Sequence, residues 1–121
     1  MYIERTLERY LAAVATEFPV VVLTGPRQSG KTTLLRHVFG STASYVSLDV
    51  PDVRAVAIED PRSFLEAFPP PAILDEVQYV PGLLSYVRER VDADRSRAGQ
   101  YVLSSSQNLL LMEGATETLA G

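Results

Sequence analysis

Residues 25 to 32 read Gly25-Pro26-Arg27-Gln28-Ser29-Gly30-Lys31-Thr32, and Thr33 follows. This is G-x-x-x-x-G-K-[ST], a glycine-rich turn that wraps phosphate groups between a strand and a helix. No other stretch constrains the fold as much, because a buried strand must lead in and a helix must lead out. Both are legible. Val20-Val21-Val22-Leu23 is a continuous apolar, β-branched run, as a parallel strand covered on both faces requires. Beyond the lysine, Leu34, Leu35, Val38 and Phe39 recur at helical spacing, and Gly40 stands where a helix-ending glycine is expected.

Each residue type in the loop answers a physical need. Gly25 and Gly30 let the backbone turn tightly and bring N–H groups against phosphate oxygens. A helix starting near Gly30 adds the positive end of its dipole. The pattern directs Lys31 to the β- and γ-phosphates and gives the Thr32 hydroxyl to Mg²⁺. Lys31 is also the only lysine in the chain; the other basic residues are arginines and the lone His37. A compact point charge stands where a guanidinium fork would serve less well. Arg27, inside the loop, is a candidate for contact with phosphate or a neighbouring acid.

Taken in order, residues 3 to 17 predict an amphipathic helix, with Ile3, Leu7, Tyr10, Leu11, Val14 and Phe18 recurring three and four apart. Pro19 stops it and hands over to the first strand. His37 reads as a surface or packing residue. Tyr45 to Leu48 predicts a second strand. Asp52 to Ile58 and Asp60 to Phe68 predict two short helices forming one crossover, the second opened by an aspartate cap and Pro61.

Ala72-Ile73-Leu74-Asp75-Glu76-Val77 is then a short apolar strand ending in two adjacent acids. Alternation along a strand sends Asp75 and Glu76 in different directions, at the end where open parallel sheets bind ligands. After a phosphate loop, this pattern makes Asp75 a Mg²⁺ holder and Glu76 the general base on an attacking water. Pro81 is expected to start a helix that buries Leu83, Leu84, Val87 and Val91. Gln100 to Leu103 predicts a fourth strand. Two readings are open for Ser104-Ser105-Ser106-Gln107: contact with the γ-phosphate or water, or a serine-rich turn capping a helix at Asn108 to Met112.

The composition excludes several classes. With 121 residues, 46% of them hydrophobic, one domain is expected. Without cysteine there are neither disulfides nor thiolate metal sites, and a cytoplasmic location is the expectation. No apolar run is long enough to cross a membrane. A net charge of −4 does not support nucleic-acid binding through a broad basic surface.

These residues together resemble the ATP-binding domain of a bacterial and archaeal family of AAA-type ATPases, many of whose members carry a further C-terminal domain of unknown function. The resemblance rests on Tyr2-Ile3-Glu4-Arg5, the loop from Thr24 to Thr32, Ser47-Leu48-Asp49, Ile73-Leu74-Asp75-Glu76-Val77-Gln78, and Ser106-Gln107. It implies an α/β fold: a three-layer α/β/α sandwich around a parallel sheet of P-loop NTPase type. The family order is 5-1-4-3-2. Here the order 1-4-3-2 is expected, with residues 1–121 a single ATP-binding domain cut short before the fifth strand and the first strand left as an edge. The family writes Thr-Gly-Ser-Gln after its fourth strand; here Ser104 keeps a hydroxyl and the glycine is lost.

The implied ATP-binding set is Gly25, Pro26, Arg27, Gln28, Ser29, Gly30, Lys31, Thr32, Thr33 and Ser104. Thr32 and Asp75 hold Mg²⁺, and Lys31 and Glu76 are catalytic. The expected function is Mg²⁺-dependent ATP binding, with hydrolysis in the complete protein. A nucleotide-responsive interaction module without turnover is the alternative. A nucleotide kinase shares the loop, but the adjacent acids argue against it. The lack of an Asn-Lys-x-Asp guanine motif favours ATP over GTP. Partners besides ATP are a protein or a second copy, through the open strand edge.

Overall fold

The computed structural model describes residues 2–26 and 30–106. Arg27, Gln28, Ser29, Gln107 and the helix expected at 108–112 lie outside the described residues. Four strands form one parallel sheet: β1 (Val20–Thr24), β2 (Ser44–Ser47), β3 (Ala72–Asp75) and β4 (Tyr101–Ser105), in the order β1-β4-β3-β2. That is the expected order. Register aligns Val21 with Val102, Ile73 with Val102, and Tyr45 with Ile73.

Side-chain alternation splits the core in two. Val21, Ile73 and Val102 face helices α1 (Tyr2–Ala15) and α2 (Lys31–Phe39), packing on Leu11, Leu34 and Leu35. Val46, Ala72, Leu74, Tyr101 and Leu103 face the other way. They pack on α3 (Pro51–Glu59), α4 (Pro61–Ala67) and α5 (Leu83–Ala93) through Ala57, Phe64, Leu65, Leu84 and Val87. Helices on both faces make the three layers. β3 and β4 are buried throughout, and each aliphatic side chain there contributes roughly 1.5–3 kcal/mol through burial.

The same alternation positions the site. Counting by twos from Ile73, Val102 and Tyr45 puts Asp75, Ser104 and Ser47 on the α2 face of the sheet. Of these polar side chains, Asp75 meets the first turn of α2, through Thr32.

Several expectations shift. Tyr10 and Phe18 are 65% and 53% exposed, so among the described side chains the inward stripe of α1 is Leu7, Leu11 and Val14, with Ile3 outside them. Thr16 and Glu17 form a closing turn instead of more helix, their N–H groups donating to Ala13 and Val14 carbonyls. β3 stops at Asp75, and a 3-10 turn at Val77–Tyr79 replaces the rest of the expected strand. β4 runs on through Ser104 and Ser105, both fully buried, so these serines belong to the strand and not to a capping turn. Helix α5 starts at Leu83, after Pro81 has spent its carbonyl on the Leu84 N–H.

Candidate functional site

The loop meets the sheet through its first glycine: the Gly25 N–H donates to the Ser105 carbonyl at 3.1 Å, tying it to the end of β4. At its other end Gly30 caps α2 at φ 87°, ψ 4°, a left-handed conformation that glycine adopts without steric cost. No side chain caps this helix and no acid stands in its first turn. Its leading N–H groups and the positive end of its dipole suit an anion. Thr33 is exposed beside Gly30 and lines a cavity of about 440 Å³ with Glu8, Leu34 and His37. His37 stays largely exposed, 3.5 Å from Glu8.

Lys31 and Thr32 open α2, and each meets one acid from the end of β3. The Lys31 ammonium lies 3.1 Å from Glu76 Oε2, both side chains being buried. Thr32 Oγ1 donates to Asp75 Oδ2 at 2.7 Å. Consecutive residues of a helix thus face consecutive residues of a strand end.

Simple alternation would send Glu76 to the opposite face. It reaches Lys31 because its backbone is left-handed, at φ 58°, ψ 50°, where the strand breaks into the 3-10 turn. The expectation that Asp75 and Glu76 diverge is corrected here: a single kinked residue folds both carboxylates onto one helix N-terminus. A non-glycine residue in this conformation carries a backbone cost of order 1 kcal/mol. The buried ion pair and the bonds below hold it there.

Asp75 is 1% exposed and its carboxylate is fully engaged. Besides Thr32, Oδ2 accepts the Tyr45 phenol at 2.6 Å, and Oδ1 accepts the Ser104 hydroxyl. Ser104 Oγ also accepts the Glu76 backbone N–H at 3.0 Å. Ser104 is thus set against the acid pair, inside the sheet. The Arg36 guanidinium lies 4.6 Å over the Tyr45 ring. Burial first, then the hydrogen bond and charge of Asp75, raise the Tyr45 phenol well above its ordinary range, so it stays a neutral donor.

Glu76 is held as tightly. Oε1 accepts Gln78 Nε2 at 2.7 Å and the Ser106 hydroxyl at 3.0 Å. Burial works to raise its pKa, yet the bonds from Gln78, Lys31 and Ser106, with the Lys31 charge, outweigh it and hold the carboxyl below its ordinary value.

The anticipated residues Gly25, Gly30, Lys31, Thr32, Asp75, Glu76 and Ser104 lie together at the C-terminal ends of β1, β3 and β4, with Pro26 on the exposed start of the loop. Tyr45 and Gln78 carried no assigned role in the sequence. Parity with Ser47 is the signal for Tyr45, since it sets the phenol on the face that Asp75 occupies. Gln78 depends on the kink at Glu76, which no residue pattern announces.

Three comparisons bear on this arrangement. The family model for an AAA domain matches residues 17–121. Uncharacterized proteins Rv2008c of Mycobacterium tuberculosis and Mb2031c of Mycobacterium bovis are each 38% identical over 104 residues, covering 85% of this chain and 23% of theirs. The chain therefore spans about a quarter of the length of these curated relatives. The solved structure of PCH-2 from C. elegans matches over 96% of this chain and 40% of that one, with a TM-score of 0.55 and 15% identity. At that identity the likeness concerns the fold, a parallel sheet flanked by helices. With the family model spanning nearly all of it, the chain belongs to the AAA domain family, as an AAA-type P-loop ATPase-like domain.

Proposed function

We propose that this domain binds ATP with Mg²⁺ and serves ATP hydrolysis in the protein it belongs to. One observation carries the reading: Lys31–Glu76 and Thr32–Asp75 pair a helix start with a strand end, residue for residue. Gly25, Pro26, Arg27, Gln28, Ser29, Gly30 and Thr33 supply the loop around the phosphates, and Lys31 neutralises β- and γ-phosphate charge. Thr32 and Asp75 offer convergent hard oxygens, which suit Mg²⁺. An ion there would be held by one carboxylate, a hydroxyl, phosphates and water. Held by Thr32 and Asp75, such an ion would supply positive charge to neutralise the phosphates.

In the reaction, the oxygen of a water forms a bond to the γ-phosphorus while the bond to the β–γ bridging oxygen breaks. Glu76 takes the proton that the water gives up, and ADP leaves with the bridging oxygen's electron pair. Before this, Lys31 must exchange Glu76 for phosphate. That pairing also favours the second reading, a nucleotide-responsive module in which ATP opens the Lys31–Glu76 pair without turnover.

Glu76→Gln separates them. In the ATPase, the variant keeps Mg²⁺-dependent ATP affinity in a titration, and steady-state turnover falls by roughly 10² to 10⁴. Equal turnover in both forms removes Glu76 as the base. Binding that is indifferent to Mg²⁺ removes the metal assignment.

A further inference from the structure

Gln78 is not needed for the chemistry just described, yet its side chain is fully committed around Glu76. One amide hydrogen goes to Glu76 Oε1 at 2.7 Å, and Nε2 also reaches Ser106 Oγ at 2.7 Å. The Ser106 hydroxyl donates to the same Glu76 oxygen at 3.0 Å. Gln78 Oε1 faces the Ser106 N–H at 3.4 Å, closing a ring between the ends of β3 and β4. The amide has one acceptable orientation. Reversed, its oxygen would face the carboxylate and its donors would face an N–H.

The two oxygens of Glu76 are thus held by different means. Lys31 holds Oε2; Gln78 and Ser106 hold Oε1. On the ATPase reading, Lys31 turns from Glu76 Oε2, 3.1 Å away, to the phosphates. Oε2 then faces the space the ammonium gave up, where phosphate has arrived. Oε1 keeps both its donors, because neither belongs to the loop or to α2. A glutamate without that second grip has three rotatable bonds and no reason to keep its aim.

We infer that Gln78, braced by Ser106, is a positioning residue that keeps Glu76 aimed at the attacking water once nucleotide has drawn Lys31 away. The inference rests on the ATPase reading and adds to it the residues that hold the base. It locates their effect in kcat and not in affinity, because among the described residues the ring touches Glu76 and no part of the phosphate cradle.

The experiment compares wild type, Gln78→Met, which keeps the volume and removes both donors, and Ser106→Ala, which reaches the ring from its other side. Expected is a fall in kcat of roughly 10- to 100-fold for Gln78→Met, with ATP affinity unchanged within about threefold. On a Glu76→Gln background, Gln78→Met should cost nothing further. Crystals with Mg²⁺ and a non-hydrolysable ATP analogue should hold Glu76 in one rotamer in wild type and in several in Gln78→Met. An inactive Glu76→Gln beside a Gln78→Met of wild-type kcat and a single Glu76 rotamer overturns the inference and leaves the ATPase reading standing. A Glu76→Gln as active as wild type overturns the ATPase reading itself. A Gln78→Met that loses affinity and kcat in the same proportion marks a merely structural role, and also sinks the inference.

Discussion

At the scale of single residues, the site is a set of buried charges held in balance by hydrogen bonds, and its pH response follows from that. Glu76 is held below its ordinary carboxylate value near 4.5. A group depressed on folding stabilises the fold above its unfolded pKa, and the contribution is lost as pH falls through the folded one. Denaturant midpoints without nucleotide should therefore decline below about pH 4.5, and the wild type should lose more than Glu76→Gln over the same interval. If the two decline in parallel, the Lys31, Gln78 and Ser106 contacts contribute nothing to the fold. Much of the site was legible at this scale. Loop glycines, the single lysine, Thr32 and the Asp75–Glu76 pair are read directly from spacing, because their chemistry dictates residue type. Gln78 was not legible as a partner of Glu76, since its contact depends on a backbone angle at Glu76. Tyr45 was hidden for another reason: a tyrosine in an apolar strand looks like core until register aligns it two residues short of Asp75.

At the scale of elements, local rules predicted starts better than stops. The α4 start is the clean case: Asp60 accepts the Ser63 N–H at 3.2 Å and Pro61 occupies the first turn, as the dipeptide announced. Asp60→Ala should cost about 0.5–2 kcal/mol in chemical denaturation. It should leave ATP affinity unaltered, because α4 packs on the face of the sheet away from α2. A comparable loss of affinity would mean that the crossover layer is coupled to the phosphate loop. Stops were harder because they are settled by tertiary contacts. β4 extends through two serines of poor strand propensity because Ser104 gains Asp75 and the Glu76 N–H, which outweighs the weaker intrinsic preference. β3 ends early for the complementary reason, since kinking at Glu76 is what brings its carboxylate to Lys31.

At the scale of the whole molecule, the sheet is unevenly covered, and the last prediction follows. β3 and β4 are buried from end to end, whereas β1 buries only Val21 fully and leaves Val22, 38% exposed, and Thr24 open to solvent. Among the described residues β1 pairs with β4 alone, and the N–H and C=O groups on the other side of this apolar, β-branched strand meet no described strand. Such an edge is a template for another strand, and a charged side chain on it is the usual deterrent. The phosphate loop leaves directly from this strand, and Gly25 is tied to β4 beside it, so whatever pairs with β1 also bears on the loop. The domain should therefore self-associate as its concentration rises, seen as a growing sedimentation coefficient. Val22→Lys should return it to a monomer while melting within a few degrees of wild type, because Val22 already meets solvent. ATP affinity measured on that monomer then reports the loop without a neighbour. Sedimentation of the wild type as a monomer at every concentration would show that the β1 edge is already protected, and the aggregation argument would fall with it.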